Sequence, residues 1–326
     1  QPLGHVAFLD IEYEALNISM IKNRFLHYGN ALISGMKGFG WLGLLLLTLS
    51  PDRVLAVSSP DFWLAERGEQ KLWLLGSIHV GHEEMYPLPP AIMQRWQQAD
   101  NLIVETDLNQ SDPSSQQSLL SYAMLPTDTT LSQQLSQPLY QKTIQTAALY
   151  QLSEPLLSKF RPWFVAITLQ QQAIQQAGYQ ATFGVDQYFI GLAKDKQISI
   201  HYLETPDQQL AYLAGLGGVE NDFLEATLKQ INKVNADLPD LIKAWEKGDR
   251  NKIQALLEDD DTSPELRQYL EQHLIKERNQ NWLPKIMSET YPHNFMVVGA
   301  MHLYGPNGLI QMLKQNGYKI SNIQTR

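Results

Sequence analysis

Lys71-Leu72-Trp73-Leu74-Leu75-Gly76-Ser77-Ile78-His79-Val80-Gly81 is echoed, more than 200 positions later, by Asn294-Phe295-Met296-Val297-Val298-Gly299-Ala300-Met301-His302-Leu303-Tyr304-Gly305. Each is an apolar run that ends at glycine, with histidine three positions on. A run of about four to eight apolar, β-branched or aromatic residues bounded by glycine is a strand signal. The glycine lets the chain turn sharply or lets another group come close. Each histidine then falls just past the carboxyl end of a strand, where open α/β sheets place their ligands. Only the fold can bring the two together.

The chain has 326 residues, of which 44% are hydrophobic and 18% charged, so it can bury a full core in one or two domains. A net charge of -9 leaves no basic footprint for nucleic acid. With no cysteine, disulfides, thiol nucleophiles and zinc-thiolate sites are excluded, although the redox compartment stays open. The start of the chain reads as a targeting segment. Met20-Ile21-Lys22-Asn23-Arg24 and Lys37 are basic, Phe39 to Leu49 is an apolar core, and Val54-Leu55-Ala56 offers small residues for cleavage. That core is shorter than the roughly 20 residues of a membrane-spanning helix. The expected division is an upstream or non-native segment at 1–19, a secretory signal at 20–56 and one α/β domain at 57–326. The mature chain is then exported, to the periplasm of a Gram-negative bacterium, with no membrane span after cleavage.

From Phe62 the order of elements can be read. Two apolar runs around Gly68-Glu69-Gln70 predict a hairpin, Ala91 to Trp96 a helix, and Asn101 to Asp107 a strand that ends in carboxylates. From Ser111 to about Ala181 the chain is Gln-, Ser- and Leu-rich and reads as helical. Phe183 to Lys194 predicts another helix and Ile198 to Glu204 another strand. Thr205 is a plausible N-cap for the helix after it. Helices follow over Glu220 to Asn235, Leu241 to Glu246 and beyond Ser263. The chain closes with a Phe295–Val298 strand, a helix over Asn307 to Gln315, a stop at Gly317 and a short strand at Tyr318–Ile320. The expected fold is a central, mostly parallel sheet with an N-terminal hairpin and a large helical insertion at about 111–290.

His79, Glu105 and His302 share one address if the sheet is parallel, its carboxyl edge. Two histidines and a carboxylate suit a divalent metal with open positions. Such a metal activates water and polarises a carbonyl. The competing reading is that Gly and His simply end strands in turns.

The two Gly-x-x-His stretches resemble the paired motifs of the TraB/PrgY/GumN family, which includes the Tiki metalloproteases. The likeness extends to Leu102-Ile103-Val104-Glu105-Thr106-Asp107, Gly184-Val185-Asp186-Gln187, Leu203-Glu204-Thr205, Gln209-Leu210, and Glu277-Arg278-Asn279 with Trp282. It covers about residues 60–323. The resemblance implies an α/β fold related to erythromycin-esterase-like (EreA) and ChaN-like proteins. It also implies a divalent metal, manganese or cobalt with zinc as a further candidate, and hydrolysis of a peptide or another small carbonyl substrate. Carried over by position, His79, Glu105 and His302 match the metal centre, and Asp186, Glu204 and Arg278 match other motif positions.

Chemistry offers those three a role and an alternative each. Glu204 suits a general base, or a cap on the helix that follows. Arg278 suits an oxyanion or a substrate carboxylate, or a structural ion pair to Asp186 or Glu204. Asp186 sits where a helix dipole favours it in any case. Asn279 reads either as solvent-facing or as orienting one of these groups. His82, His201, His273 and His293 read as structural or solvated. No His-Glu-x-x-His, Gly-x-Ser-x-Gly or phosphate-loop motif occurs. The rival from another class is a protein that sequesters a peptide or haem in the same cleft without turnover.

Overall fold

The computed structural model describes residues 60–107, 113–257 and 262–323, all within the unit Leu55–Arg326. The signal expected at 20–56 and the segment 1–19 lie outside the described residues, as does the Asp259-Asp260-Asp261 break. Six strands form one sheet: β1 (Phe62–Arg67), β2 (Gln70–Ser77), β3 (Asn101–Val104), β4 (Ser199–Tyr202), β5 (His293–Gly299) and β6 (Lys319–Asn322). Their order is β4-β3-β5-β2-β1-β6. The pairs β4-β3, β3-β5 and β5-β2 are parallel, whereas β1 runs antiparallel to both β2 and β6. The expected hairpin is β1-β2, turning at Gly68, whose φ of 60° suits glycine.

The apolar runs are nearly continuous because the parallel strands are covered on both faces. Alternate residues divide between two cores. Trp73, Leu75, Leu102, Val104, Phe295 and Val297 face one. Leu72, Leu74, Ile103, Met296 and Val298 face the other. Of the helices that position the site, α1 (Pro90–Gln98) closes the first face with Ile92 and Trp96. Further on, α2 (Pro162–Gln176) belongs to a separate helical core with Val165, Ala166 and Leu169. Then α3 (Val185–Lys196) adds Val185, Phe189 and Ile190 to the first face.

After β4, α4 (Pro206–Ala214) begins at Thr205, whose hydroxyl accepts from Gln208 N. That is the N-cap read from sequence. Next, α5 (Glu220–Ile231) packs in the core of α2, through Leu224 and Leu228. In contrast, α6 (Val234–Glu246) returns to the sheet through Leu238, Ile242 and Trp245. Beyond it, α7 (Arg278–Met287) covers the second face with Trp282 and Ile286, and α8 (Leu309–Gln315) adds Leu309 and Leu313. The helical span expected over 111–290 therefore has β4 passing through it, and part of it keeps a core of its own. Among the described residues no helix is long and apolar enough to cross a membrane.

The two Gly-x-x-His stretches lie on neighbouring parallel strands, offset by one residue. Gly76 pairs with Val298 and Ser77 with Gly299. Trp245 Nε1 donates to Gly76 O at 2.8 Å, which pins the end of β2 from the helical side. The loop beyond is strapped to the start of α3, where Val185 N donates to Ile78 O at 3.0 Å. Gly184 makes that approach possible, since a Cβ there would lie 2.5 Å from His79 O. Backbone on both sides leaves nothing flexible to yield. Gly184→Ala is expected to cost about 1–3 kcal/mol of stability, the range for overpacking. A urea midpoint equal to that of the parent chain would contradict this close approach.

Candidate active site

Glu105 and Glu204 follow the ends of β3 and β4 and remain in register. Leu203 N donates to Val104 O at 2.9 Å, and Glu204 N donates to Glu105 O at 2.8 Å. His79 lies two residues beyond β2. His302 closes a short 3-10 turn, Ala300–His302, after β5. All four therefore gather at the carboxyl edge of the parallel strands, where the sequence predicts His79, Glu105 and His302. Asp186, in the first turn of α3, and Arg278, at the start of α7, complete the set.

Arg278 sits at its centre. Its Nη2 donates to Glu105 Oε2 at 2.5 Å and to Glu204 Oε1 at 2.6 Å, and its Nε donates to Glu204 Oε2 at 3.2 Å. Nη1 lies 3.0 Å from His302 Nε2. A guanidinium only donates, so Nε2 is the acceptor and the proton of a neutral His302 rests on Nδ1. That proton goes to Asn279 Oδ1 at 2.7 Å. Burial presses His302 down to about 3, keeping it neutral. Burial pushes Glu105 the other way, but His302, once protonated at low pH, together with Arg278 and His79 outweighs it and holds the carboxyl at about 2. Glu204 is raised by burial even with Arg278 on it, and Trp282 Nε1 donates to it at 3.1 Å.

The two histidines are not equivalent. His302 is buried, whereas the His79 ring is 61% exposed. His79 Nδ1 donates to Asp186 Oδ2 at 2.9 Å, and Ser77 Oγ donates to Asp186 Oδ1 at 3.0 Å. The adjacent Asp186 charge lifts the His79 imidazole to about 9. With Nδ1 held by Asp186, His79 Nε2 lies toward Gly299. A methyl group built on Gly299 would lie 3.2 Å from His79 Nε2, 3.2 Å from Glu105 Oε1 and 3.6 Å from His302 Cδ2. Three site residues thus face one small space above Gly299, whose N–H donates to Glu105 Oε1 at 2.7 Å.

Imidazole and carboxylate donors, each with its outer atom tethered, are what a divalent cation uses. Charge points the same way: with His302 neutral and His79 protonated, Glu105, Glu204 and Asp186 still outnumber Arg278 and His79 by one. The donor set thus fits such an ion in type and charge. As they stand, however, no three His, Asp or Glu side chains among the described residues form a group able to hold a metal ion. His302 Nε2 and Glu105 Oε2 are turned to Arg278 instead.

A profile of the TraB/PrgY/gumN family matches residues 61–322. The chain belongs to the TraB/PrgY/gumN family. It is 30% identical over 268 residues to a protein described as uncharacterized protein YbaP from Escherichia coli (strain K12), covering 77% of this chain and 96% of that protein. A protein of the same description from Shigella flexneri matches with the same identity and coverage. No solved structure matches. Within this family member, all six residues singled out from sequence fall in one cluster.

Some alternatives resolve. Glu204 does not cap α4, which Thr205 does. Arg278 forms the structural ion pair with Glu204, and with Glu105 as well, but not with Asp186. Asn279 does not face solvent: it is fully buried and its Nδ2 donates to His302 O and Asn307 O. Sequence reasoning missed Ser77, because its partner Asp186 is over 100 positions away. It also missed Thr106, which is buried with its hydroxyl finding no partner among the described residues. The remaining histidines are occupied elsewhere: His201 with Glu289, His273 with Glu277, His293 with Asp100, and His82 edge-on to Tyr179.

His79 is expected to titrate near 9 in the parent chain and below the unperturbed value of about 6.5 in Asp186→Asn, where burial still lowers it. Glu105, which raises it, and Arg278, which lowers it, remain in both proteins. A raised native value means the pair contributes fully below about pH 6.5, and its contribution is lost as pH rises through about 9. Imidazole NMR reads the shift. An unchanged titration in the variant would contradict the assignment of Asp186.

Proposed function

We propose that the chain is a metal-assisted hydrolase of a peptide or another small carbonyl substrate. The observation that carries this reading is the convergence of His79 Nε2, Glu105 Oε1 and the His302 ring on the space above Gly299. His79, Glu105 and His302 would hold a divalent cation, manganese or cobalt with zinc as a further candidate, which supplies Lewis acidity toward a carbonyl. Asp186 and Asn279 occupy the Nδ1 atoms of the two rings, which leaves Nε2 of each as the nitrogen able to serve as a ligand. His79 gives up its Nε2 proton when that nitrogen acts as a ligand, so uptake of the ion releases protons. Glu204 has both oxygens committed to Arg278 and Trp282, which suits it to fix the guanidinium. Arg278 then presents fixed positive charge where charge develops on a carbonyl oxygen. Export to the periplasm belongs to the same reading; it rests on the Met20 to Ala56 pattern, and N-terminal sequencing of exported protein decides it.

The test is cleavage of a peptide library by the purified chain, with and without chelator, beside His79→Ala and Glu105→Gln. Turnover is expected to vanish with chelator, to return with manganese or cobalt, and to fall by at least ~100-fold in either variant, in line with the loss of catalytic groups worth several kcal/mol. Cleavage indifferent to chelator would overturn the metal. Peptide or haem binding without cleavage would overturn the hydrolase in favour of a sequestering protein.

A further inference from the structure

We propose that the groove between α4 and the segment leading into Arg278 is a subsite for a Lys or Arg side chain of an extended peptide. This rests on the peptide part of the reading above and not on the metal. The groove is a cavity of about 490 Å³, lined by Gln208, Ala211, Tyr212 and Gly215 on one side and by Tyr269 and His273 on the other. That size falls within the range of small-ligand sites. The first four residues share one face of α4, whereas Leu210 and Leu213 pack into a helical core. Both walls are continuous with the candidate site. α4 begins directly after Glu204-Thr205. The other wall, the helix Pro264–Tyr269 and its π-helical continuation Leu270–Glu277, ends at Arg278, whose Nη1 donates to Leu274 O at 3.3 Å. Such π-helical turns recur at functional sites. Gln208 to Gly215 covers about 10 Å of helix, the reach of about three extended residues.

The walls are laced together before anything binds. Tyr269 Oη donates to Tyr212 O at 2.7 Å, and a Cβ on Gly215 would lie 2.6 Å from the same hydroxyl. Asn281 Nδ2 donates to Tyr212 Oη at 3.0 Å, and the Tyr269 and His273 ring centroids are 4.4 Å apart. Glu277 supplies the charge. His273 Nδ1 donates to its Oε2 at 2.9 Å and Gln272 Nε2 to its Oε1 at 3.2 Å, contacts that hold the carboxyl below its usual range. Each oxygen keeps a further lone pair. Lys276, on the same segment, is taken up by Gln272 Oε1 at 3.3 Å. Among the described residues that line the groove there is no Lys or Arg. Phenol rings beside an ionised carboxylate suit an ammonium or guanidinium, whereas an acidic side chain would meet no cation there. The chain's net charge of -9 favours the same partner.

The experiment is fluorescence anisotropy on the chelator-treated full chain, so that no metal takes part. The probes are fluorescein-labelled peptides with one phenylalanine in a serine and glycine background, flanked by two lysines, two glutamates or two serines. The lysine peptide is expected to bind at least ~10-fold more tightly than the other two. Ala211→Trp fills the groove from an exposed helical position and is expected to weaken the lysine peptide by at least ~10-fold. Glu277→Gln keeps the shape and is expected to abolish the lysine preference. Glu69→Gln, in the β1-β2 turn, removes one charge elsewhere and is expected to leave the preference intact. No binding of the lysine peptide, equal binding of all three, a preference that survives Glu277→Gln, or an equal loss in Glu69→Gln would overturn the subsite. None of these outcomes decides the metal-assisted reading, which stands or falls with chelator-sensitive cleavage.

Discussion

One guanidinium holds the site together. Arg278 is buried between two carboxylates that leave strands β3 and β4, and it reaches a histidine that follows β5. Taking such a cation from water costs several kcal/mol and is recovered only with near-complete pairing. Here Arg278 has that pairing, with five donor contacts to Glu105, Glu204, His302 and Leu274 O. The consequence is reciprocal. Glu105 and His302 are fixed because Arg278 fixes them, and Arg278 stays charged and buried because they are there.

The sheet makes this possible by aligning strand ends. In a parallel sheet every carboxyl terminus opens on one edge, so residues far apart in sequence arrive there together. His79, Glu105, Glu204 and His302 do so without any of them being near another in the chain. The helices then add what the strands cannot: α3 brings Asp186 to His79, and α7 brings Arg278 and Asn279 to His302. Gly299 has no side chain in the space they surround, and any larger residue would fill it.

Much of this was legible because it is local. The apolar runs of β2 and β5 announce strands covered on both faces, and the carboxylates Glu105 and Glu204 stand just past the ends of β3 and β4. The strands expected to reach Asp107 and Glu204 end sooner as regular structure, at Val104 and Tyr202. Even so, backbone pairing continues through Leu203 and Glu204. What the sequence left open is non-local. Arg278 carries no sign of whether it meets substrate or carboxylate, since Glu105 lies 173 positions away. Asn279 looks solvent-facing until His302 and Asn307 are brought to it. The Gly-x-x-His repeat also suggests two like histidines, whereas a one-residue offset and different turns leave one exposed and one buried.

The proposed function holds that these groups form one cation-binding centre above Gly299. It is tested most directly by anomalous diffraction at the manganese edge from crystals of the full chain grown with manganese chloride. The account predicts a single strong peak beside Gly299 Cα, bounded by His79 Nε2 and Glu105 Oε1. A well-ordered site with no anomalous peak there would contradict it.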